Sequence, residues 1–186
     1  MTIFLKHMVS TRCKKLVREE LEGLGLHHKK VELGEVEIEE EITTEQLGEL
    51  NTILKRSGIE ILDNRVDILV EQIKVSIVEL IHLSESTPEL KLSSYLSRKL
   101  HYNYSYLAQV FSASKGVTIE RYHILHKIER VKELLAYGEL NTTEIAWAVG
   151  YSSVAHLCNQ FKRFTGMTTR MYKRNGIKGR KVLEDV

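Results

Sequence analysis

The carboxyl-terminal part of this chain carries positive charge that no acidic residue offsets. Between Glu144 and Glu184 the sequence contains no Asp or Glu. The same stretch holds eight cations, namely Lys162, Arg163, Arg170, Lys173, Arg174, Lys178, Arg180 and Lys181. Unopposed Lys and Arg residues attract phosphate groups, and a continuous basic segment is the electrostatic mark of nucleic-acid binding. The charge pattern therefore predicts phosphate contacts here, and the alternative is a solvated basic face.

Two short helical segments lead into this basic stretch. They lie in the sequence NTTEIAWAVGYSSVAHLCNQFKRFTGMT, which begins at Asn141. Asn141 followed three residues later by Glu144 predicts a capping box at the start of a short helix. Gly150 suits the left-handed position that ends a helix, and Ser152 or Ser153 can cap a second helix. A helix, a sharp turn and a second helix are the sequence form of a helix-turn-helix.

A weaker copy of the pattern lies upstream, in the sequence LSSYLSRKLHYNYSYLAQVFSASKGVT of residues 92–118. Its apolar spacing matches the later motif, except that His101 replaces Gly150 and the turn is one residue shorter. Between the copies, residues 119–138 predict one long helix, which at ~1.5 Å per residue spans roughly 30 Å. One turn of B-DNA measures about 34–36 Å. The chain is therefore expected to place two recognition helices in successive major grooves.

Charge and element patterns divide the chain near residue 64. Residues 1–63 carry 9 Lys and Arg against 13 Asp and Glu, and residues 64–186 carry 18 against 12. Short apolar strands alternate with amphipathic helices in residues 1–63, which predicts a βαββαβ ferredoxin-like domain with two helices on one sheet. Residues 65–83 then predict one amphipathic helix. That helix is either the first of an all-α domain or a dimer surface, and the former is preferred.

The bulk composition is that of an ordinary globular protein. The chain has 186 residues, of which 42% are hydrophobic and 28% charged, and this length suits one or two small domains. It contains no run of eighteen apolar residues and no signal-peptide pattern, so a cytoplasmic protein without a membrane span is expected. Reduced thiols are expected at Cys13 and Cys158, which lie far apart. The sequence lacks a nucleophile elbow, a phosphate-binding glycine loop and an HExxH motif, so an enzyme is not expected.

The second half of the chain resembles the DNA-binding domain of AraC/XylS-type bacterial transcription regulators. The similarity covers residues 66 to 174 and is carried by EIAWAVGYSS and FKRFTGMTTRMYKR, with support from YLAQVF and KGVTIERYHILHKIERVKELL. The resemblance implies a seven-helix, all-α domain over residues 65–174 with two helix-turn-helix motifs, followed by a basic tail at 175–186. It also implies a sequence-specific transcription regulator that binds double-stranded DNA without a cofactor. RNA polymerase and a second copy of the chain are further candidate partners.

The resemblance also assigns individual residues to the DNA. In such regulators the major groove is faced by the positions that match Ser105, Ala108, Gln109, Ala155 and Asn159. Cys158 lies on or near the same outer face, and short or methyl contacts to bases are expected from Ser105, Ala155 and Cys158. Because Asn and Gln can pair with adenine N6 and N7, Gln109 and Asn159 are expected to read adenines. Phosphate contacts, which hold register without reading sequence, are expected from Tyr104, Lys162, Arg163, Lys173 and Arg174.

For four aromatic residues near these positions, packing, capping or phosphate contacts are expected rather than base contacts. Tyr104 and Tyr106 are expected to pack or to donate to phosphates rather than to read bases. His156 is expected to cap or to pack, and a base contact is the alternative. Trp147 is expected to pack against the body of its motif.

The amino-terminal domain resembles a heavy-metal-associated domain, whose motif is Met-x-Cys-x-x-Cys. The matching stretch is MVSTRC, in which Met8 and Cys13 are present but Ser10 replaces the first cysteine. Soft metals require two thiolates at such a loop. A degenerate scaffold for dimerisation, ligand sensing or stability is therefore expected. The alternative function is that of a metal-binding sensor or metallochaperone using Met8 and Cys13.

Overall fold

The computed structural model of the chain describes residues 1–8, 10–83 and 91–175. The chain divides into two compact units, Met1–Val75 and Ser76–Val186, which are called unit 1 and unit 2 below. The predicted basic tail at 175–186 lies outside the described residues, apart from the backbone of Asn175. None of the helices in the described ranges combines the length and the apolar composition that crossing a membrane requires.

Unit 1 alternates strands and helices in the predicted order. Its elements are β1 (Thr2–Lys6), α1 (Thr11–Gly23), β2 (His28–Glu32), β3 (Glu35–Ile38), α2 (Thr44–Arg56) and β4 (Glu60–Leu62), followed by the start of α3 (Arg65–Leu83). The four strands form one antiparallel sheet in the order β2-β3-β1-β4. The first strand of the chain therefore lies inside the sheet, between the third and the last.

The core of unit 1 lies between this sheet and the helices α1 and α2. Because side chains alternate across a strand, Ile3 and Leu5 point to the same face of β1, and both are at most 4% exposed. They belong to one apolar cluster with Val36 of β3, Leu21 of α1 and Leu54 of α2. The buried residues that alternate along the strands and the apolar faces of the two helices thus pack into a single core.

α3 is the long helix in which the division between the two units falls. The side chain of Asn64 accepts a hydrogen bond from the backbone N–H of Val66 at 2.8 Å, which satisfies one free amide of the first turn. Ile73 and Ile77, one turn apart, are both 0% exposed. The apolar face predicted for residues 65–83 is therefore buried from Leu69 to Ile81, whereas Val66 in the first turn is 46% exposed.

Unit 2 is helical throughout the residues that the structure describes. After α3 come α4 (Leu92–Leu100), α5 (Tyr104–Lys115), α6 (Ile119–Tyr137), α7 (Thr142–Ala148), α8 (Val154–Thr165) and α9 (Thr169–Asn175). Counted from residue 65, the described part of the chain contains the seven helices that were expected. α4 and α5 form the first helix-turn-helix motif, α7 and α8 form the second, and α6 connects them.

The two motifs repeat the same packing with an offset of fifty residues. In the first motif, the ring of Phe111 on α5 meets the ring of Tyr122 on α6 edge-on, with centroids 5.2 Å apart. In the second, Phe161 on α8 meets Tyr172 on α9 in the same way, at 5.5 Å. Such pairs contribute about 0.5–1.5 kcal/mol beyond the burial of their area. The internal copy predicted from the sequence is confirmed at the level of single contacts.

The two motifs differ at the residue that ends their first helix. Gly150 and His101 both adopt the left-handed conformation, with φ of 66° and 60°. Glycine adopts it readily, whereas a side chain there costs roughly 1–2 kcal/mol because its Cβ crowds the following carbonyl. In the second motif the backbone N–H groups of Gly150 and Tyr151 donate to the carbonyls of Trp147 and Ala146, at 2.9 and 2.8 Å. That arrangement closes the helix end.

The substitution His101→Gly should raise the free energy of unfolding by about 0.5–1 kcal/mol, because the relieved crowding exceeds the entropy that glycine adds to the unfolded chain. Urea denaturation of the full chain measures this difference. Gly150→Ala is the matched control and should lower the same quantity by about 1 kcal/mol. A His101→Gly protein no more stable than the wild type would contradict the assignment of strain.

Candidate DNA interface

α8 separates an apolar face from a polar one. Leu157 and Phe161 point into unit 2 and are 0% exposed. Ala155 and Asn159 lie on the other side of the helix, and both are exposed. Because residues four apart share one helix face, these two predicted base contacts form a continuous exposed stripe.

α5 repeats this division in the first motif. Leu107 and Phe111 are 0% exposed and face the interior. Ser105 and Gln109, again four residues apart, are exposed on the opposite side. Gln109 thus holds the same place on α5 that Asn159 holds on α8, so each of these two helices exposes one amide side chain.

Ala108 and Cys158 lie at the edge of these stripes and are half-buried. The Sγ atom of Cys158 lies 3.8 Å from the Oγ1 atom of Thr169, the buried first residue of α9. The thiol therefore contacts α9, and any DNA contact by Cys158 would come from the flank of the helix. The base contacts predicted for both residues stay predictions.

Side chains that cap the amino-terminal ends of α5 and α8 fix where both helices begin. The side chain of Asn103 accepts a hydrogen bond from the N–H of Tyr106 at 2.9 Å. Ser153 accepts from the N–H of His156 at 3.1 Å. Of the two serines that could have capped α8, Ser153 does so, whereas the hydroxyl of Ser152 lies 3.2 Å from Nδ1 of His156. Each cap satisfies a free amide in the first turn and fixes the residue at which the helix begins.

α7 opens with the predicted capping box, in which Asn141 and Glu144 each accept a hydrogen bond from the backbone N–H of the other, at 3.0 and 2.7 Å. Its buried face consists of residues such as Ile145 and Ala146, both 0% exposed. The prediction that Trp147 packs against the motif is wrong, because its side chain is 72% exposed. A helix of seven residues has room for one buried face, and Trp147 lies opposite to it.

The four cations assigned to phosphates lie near helix ends. They are exposed and comprise Lys162 and Arg163 in the last turn of α8 and Lys173 and Arg174 in the last turn of α9. None of them forms an ion pair with any residue in the described part of the chain. Their charge is therefore not offset by nearby carboxylates, which leaves it available to an anionic partner.

Tyr104, the fifth residue assigned to phosphates, has a partner inside unit 2. Its hydroxyl donates to Oε1 of Glu120 at 2.6 Å, which ties the start of α5 to the first turn of α6. Burial and this hydrogen bond raise the pKa of Tyr104, and the same bond lowers the pKa of Glu120. A phosphate oxygen would have to compete with the Glu120 carboxylate for this proton. The phosphate contact of Tyr104 stays a prediction.

Lys127 on α6 closes the turn of the second motif, a role that the sequence analysis did not assign. Its Nζ donates to the carbonyl of Gly150 at 2.8 Å and lies 4.3 Å from the ring centroid of Tyr151. Burial lowers the pKa of Lys127 to about 8, while the carbonyl and the ring face favour its charged form. The hydroxyl of Tyr151 donates to Oε1 of Gln160 on α8 at 3.1 Å. Lys127 therefore holds the turn against α6, and Tyr151 connects the same turn to α8.

Met8 and Cys13, the weak metal candidates, pack in unit 1. Met8 is 2% exposed within the apolar core, and Cys13 is partly buried against the same core. The Sγ atom of Cys13 lies 3.5 Å from the Oγ atom of Ser10. Among residues 1–8, 10–83 and 91–175 there is no group of three or more His, Cys, Asp or Glu side chains that could hold a metal ion. The metal-sensor alternative therefore gains no support from unit 1.

Comparison with protein families and curated proteins agrees with this geometry. Residues 96–175 match the family model described as a helix-turn-helix domain. The chain is 28% identical over 158 residues to the uncharacterised HTH-type transcriptional regulator YtdP of Bacillus subtilis, which covers 80% of this chain and 20% of that protein. It is 29% identical over 108 residues to the uncharacterised HTH-type transcriptional regulator YdiP of Escherichia coli, covering 58% and 34%. The chain thus spans about a third or less of the length of these relatives.

Among solved structures, the C-terminal domain of AraT, a response regulator from Geobacillus stearothermophilus, aligns with a TM-score of 0.54 and 24% sequence identity. The alignment covers 64% of this chain and 95% of that domain. This likeness concerns the fold. It shows that a domain of similar fold occurs in that response regulator.

The pKa of His123 on α6 depends on burial and on the nearby Lys127. Burial, followed by electrostatic interaction with Lys127 and His126, lowers the pKa of His123 to about 4. Between pH 6.5 and 4 the unfolded chain therefore binds a proton that the folded chain does not. The stability that His123 contributes is fully present above pH 6.5 and is lost as the pH falls toward 4.

Between pH 7 and pH 4.5, His123 alone should lower the free energy of unfolding by about 2 kcal/mol. The variant His123→Gln lacks this titration, so its stability should fall by about that much less over the same interval. Urea denaturation of both proteins at a series of pH values measures the difference. Parallel pH profiles for the two proteins would show that His123 is not held neutral in the folded state.

Proposed function

We propose that this chain is a DNA-binding transcription regulator of the AraC type, which inserts α5 and α8 into successive major grooves of double-stranded DNA. The observation that carries the proposal is the repeated geometry of these two helices. Each is capped at its start, buried through Leu and Phe, and exposes one amide side chain, Gln109 or Asn159, at the same place. The helix-turn-helix match over residues 96–175 supports the same function.

The length of the linking helix suits this mode of binding. α6 contains 19 residues, which at 1.5 Å per residue extend roughly 28 Å. Recognition helices that enter successive grooves on one face of B-DNA are separated by about 34–36 Å. A rigid connection of this length between two motifs supports a bipartite site about one helical turn long. Two motifs on one chain can cover such a site without a second copy.

The proposed base contacts and the proposed phosphate contacts come from different residues. Gln109 and Asn159 are proposed to read adenines through N6 and N7, with Ser105 and Ala155 beside them. The uncompensated cations near the ends of α8 and α9 are proposed to contact phosphates on the flanks of the groove. RNA polymerase and a second copy of the chain stay candidate partners, and a cytoplasmic location follows from binding to the genome.

Unit 1 is proposed to be a ferredoxin-like scaffold of the heavy-metal-associated type that has lost its metal. The βαββαβ order and the antiparallel strand order β2-β3-β1-β4 support this fold. Ser10 takes the place of a thiolate, and Met8 lies in the core, so no metal is assigned to it. Its proposed roles are dimerisation, ligand sensing or stability, and the DNA-binding domain is placed at residues 65–174.

Selection of bound sequences from a random DNA pool tests the proposal. The wild-type chain should enrich an asymmetric site with two short blocks about one helical turn apart. Gln109→Ala and Asn159→Ala should each relax the preference at one adenine in a different block and cost about 1–3 kcal/mol on the preferred site. Each variant is the control for the other. Unchanged preferences in both variants would refute the assigned readers, and no enrichment by the wild type would refute the function.

Salt dependence tests the phosphate contacts separately. The double variant Lys162→Ala/Arg163→Ala should weaken binding to all sequences alike and reduce the slope of log K against log salt by about 2. The measurement is a binding titration by fluorescence anisotropy between 50 and 200 mM salt. Lys55→Ala/Arg56→Ala is the matched control, because this exposed basic pair lies in the last turn of α2 in unit 1. A control that lowers the slope equally would contradict the assignment to α8.

A further inference from the structure

His156 is an exposed side chain on the first turn of α8 that the assignment of base readers does not include. It follows Ala155 directly and precedes Asn159 by three residues, so it shares a face of the helix with Asn159. The first residues of a recognition helix are the ones that reach base edges in helix-turn-helix complexes. By position alone, His156 is therefore within the part of α8 that would meet the bases.

The ring of His156 is held in place, unlike most exposed side chains. Its Nδ1 lies 3.2 Å from the hydroxyl oxygen of Ser152. The ring also packs edge-on against Tyr151, with centroids 5.3 Å apart and an interplanar angle of 87°. These two contacts restrict the orientation of the ring, which lowers the ordering cost of a DNA contact.

Tyr151 is itself anchored on several sides. It is 6% exposed, its hydroxyl donates to Gln160, and Lys127 lies over its ring. The corresponding pair in the first motif, Tyr102 and Tyr106, also packs ring against ring at 5.4 Å. Both of those rings are exposed, at 49% and 44%. Only the second motif therefore supports its outer aromatic residue with a buried one.

The contact with Ser152 determines what the other ring nitrogen offers. When the serine hydroxyl donates to Nδ1, the single proton of the neutral ring lies on Nε2. When the ring is charged, both nitrogens carry protons and Ser152 accepts from Nδ1. Nε2 has no hydrogen-bond partner among the described residues, and in both of these states it is an unused donor on the exposed side of α8. In the remaining tautomer, whose Nδ1–H donates to Ser152, Nε2 is an acceptor, so a contact with an acceptor on a base requires one of the two donor states. Guanine presents two acceptors, N7 and O6, in the major groove.

We infer that His156 is a base-reading residue of the second motif, in which Nε2 donates to the N7 or O6 edge of a guanine and Ser152 acts as a positioning residue. The inference rests on the proposed function and extends it by one base. It gives the block read by α8 a guanine close to the adenine that Asn159 is proposed to read. The first motif has no histidine at the matching position and is not expected to share this guanine.

The test compares His156→Ala with the full-length wild-type chain by selection from a random DNA pool. His156→Ala should accept any base at one position of the second block where the wild type requires guanine, with about a tenfold loss of affinity for the preferred site. The preferred duplex is then made with 7-deazaguanine, which lacks N7, and with 2-aminopurine, which lacks O6. One of these should weaken the wild type by a similar factor and the variant by none, because the same contact is already lost.

Each other outcome has a defined meaning. If His156→Ala keeps every preference while Asn159→Ala still relaxes its own position, the inference is wrong and the proposed function stands. If His156→Ala weakens all sequences equally and lowers the salt slope, the ring contacts a phosphate and the base assignment is overturned. Relaxation at a required cytosine would overturn the donor assignment, because cytosine presents only a donor in the major groove. Relaxation at a required adenine or thymine would overturn the assignment to guanine, because each of these bases presents one acceptor there. If the wild type enriches no sequence, the proposed function fails and this inference fails with it.

Ser152 is tested as a positioning residue. Ser152→Ala should relax the same guanine position as His156→Ala, and Ser152→Thr, which keeps the hydroxyl, should restore it. Thermal unfolding of Ser152→Ala, Ser152→Thr and His156→Ala controls for folding. If the role of Ser152 were only structural, Ser152→Ala would lower the midpoint temperature of unfolding and leave the preference for guanine unchanged. A Ser152→Ala protein that keeps the guanine preference would exclude Ser152 from this role.

Discussion

The contact on which unit 2 depends is the packing of a phenylalanine in α5 and in α8 against a tyrosine in the helix that follows each of them. Phe111 on Tyr122 fixes the rotation of α5 about its own axis, and Phe161 on Tyr172 fixes that of α8. Once that rotation is fixed, residues four apart on the opposite side must face solvent. The exposure of Gln109 and Asn159 is therefore a consequence of how the interior packs.

Much of unit 2 could be predicted because its signals are local. The capping box at Asn141 and Glu144 and the left-handed residue at Gly150 each depend on a few neighbouring residues. The repeat could be recognised because the same apolar spacing occurs twice. The inward positions Leu157 and Phe161 followed directly from helical periodicity.

The features that were missed depend on residues far apart in the sequence. Lys127 contacts Gly150 across 23 residues, and Tyr104 contacts Glu120 across 16. No local pattern indicates which lysine on a long helix is the one that reaches a turn. The sequence predicts a buried Trp147 because large apolar residues are usually buried. In the short helix α7, however, Ile145 and Ala146 form the buried face, and Trp147 lies on the opposite side. In unit 1 the order of elements could be predicted, whereas strand order depends on pairings that lie beyond local sequence.

The two motifs share their core packing but differ in the turns between their helices, and this difference makes unit 2 asymmetric. The second turn ends in glycine and is covered by Lys127, whereas the first ends in a left-handed histidine beside two exposed tyrosines. Two unlike readers joined by one helix cannot be exchanged by a rotation, as the halves of a symmetric dimer can. Under the proposed function, the DNA site is therefore asymmetric, and the protein binds it in one orientation. Reversing the site in a promoter would turn the whole protein around with respect to the start of transcription.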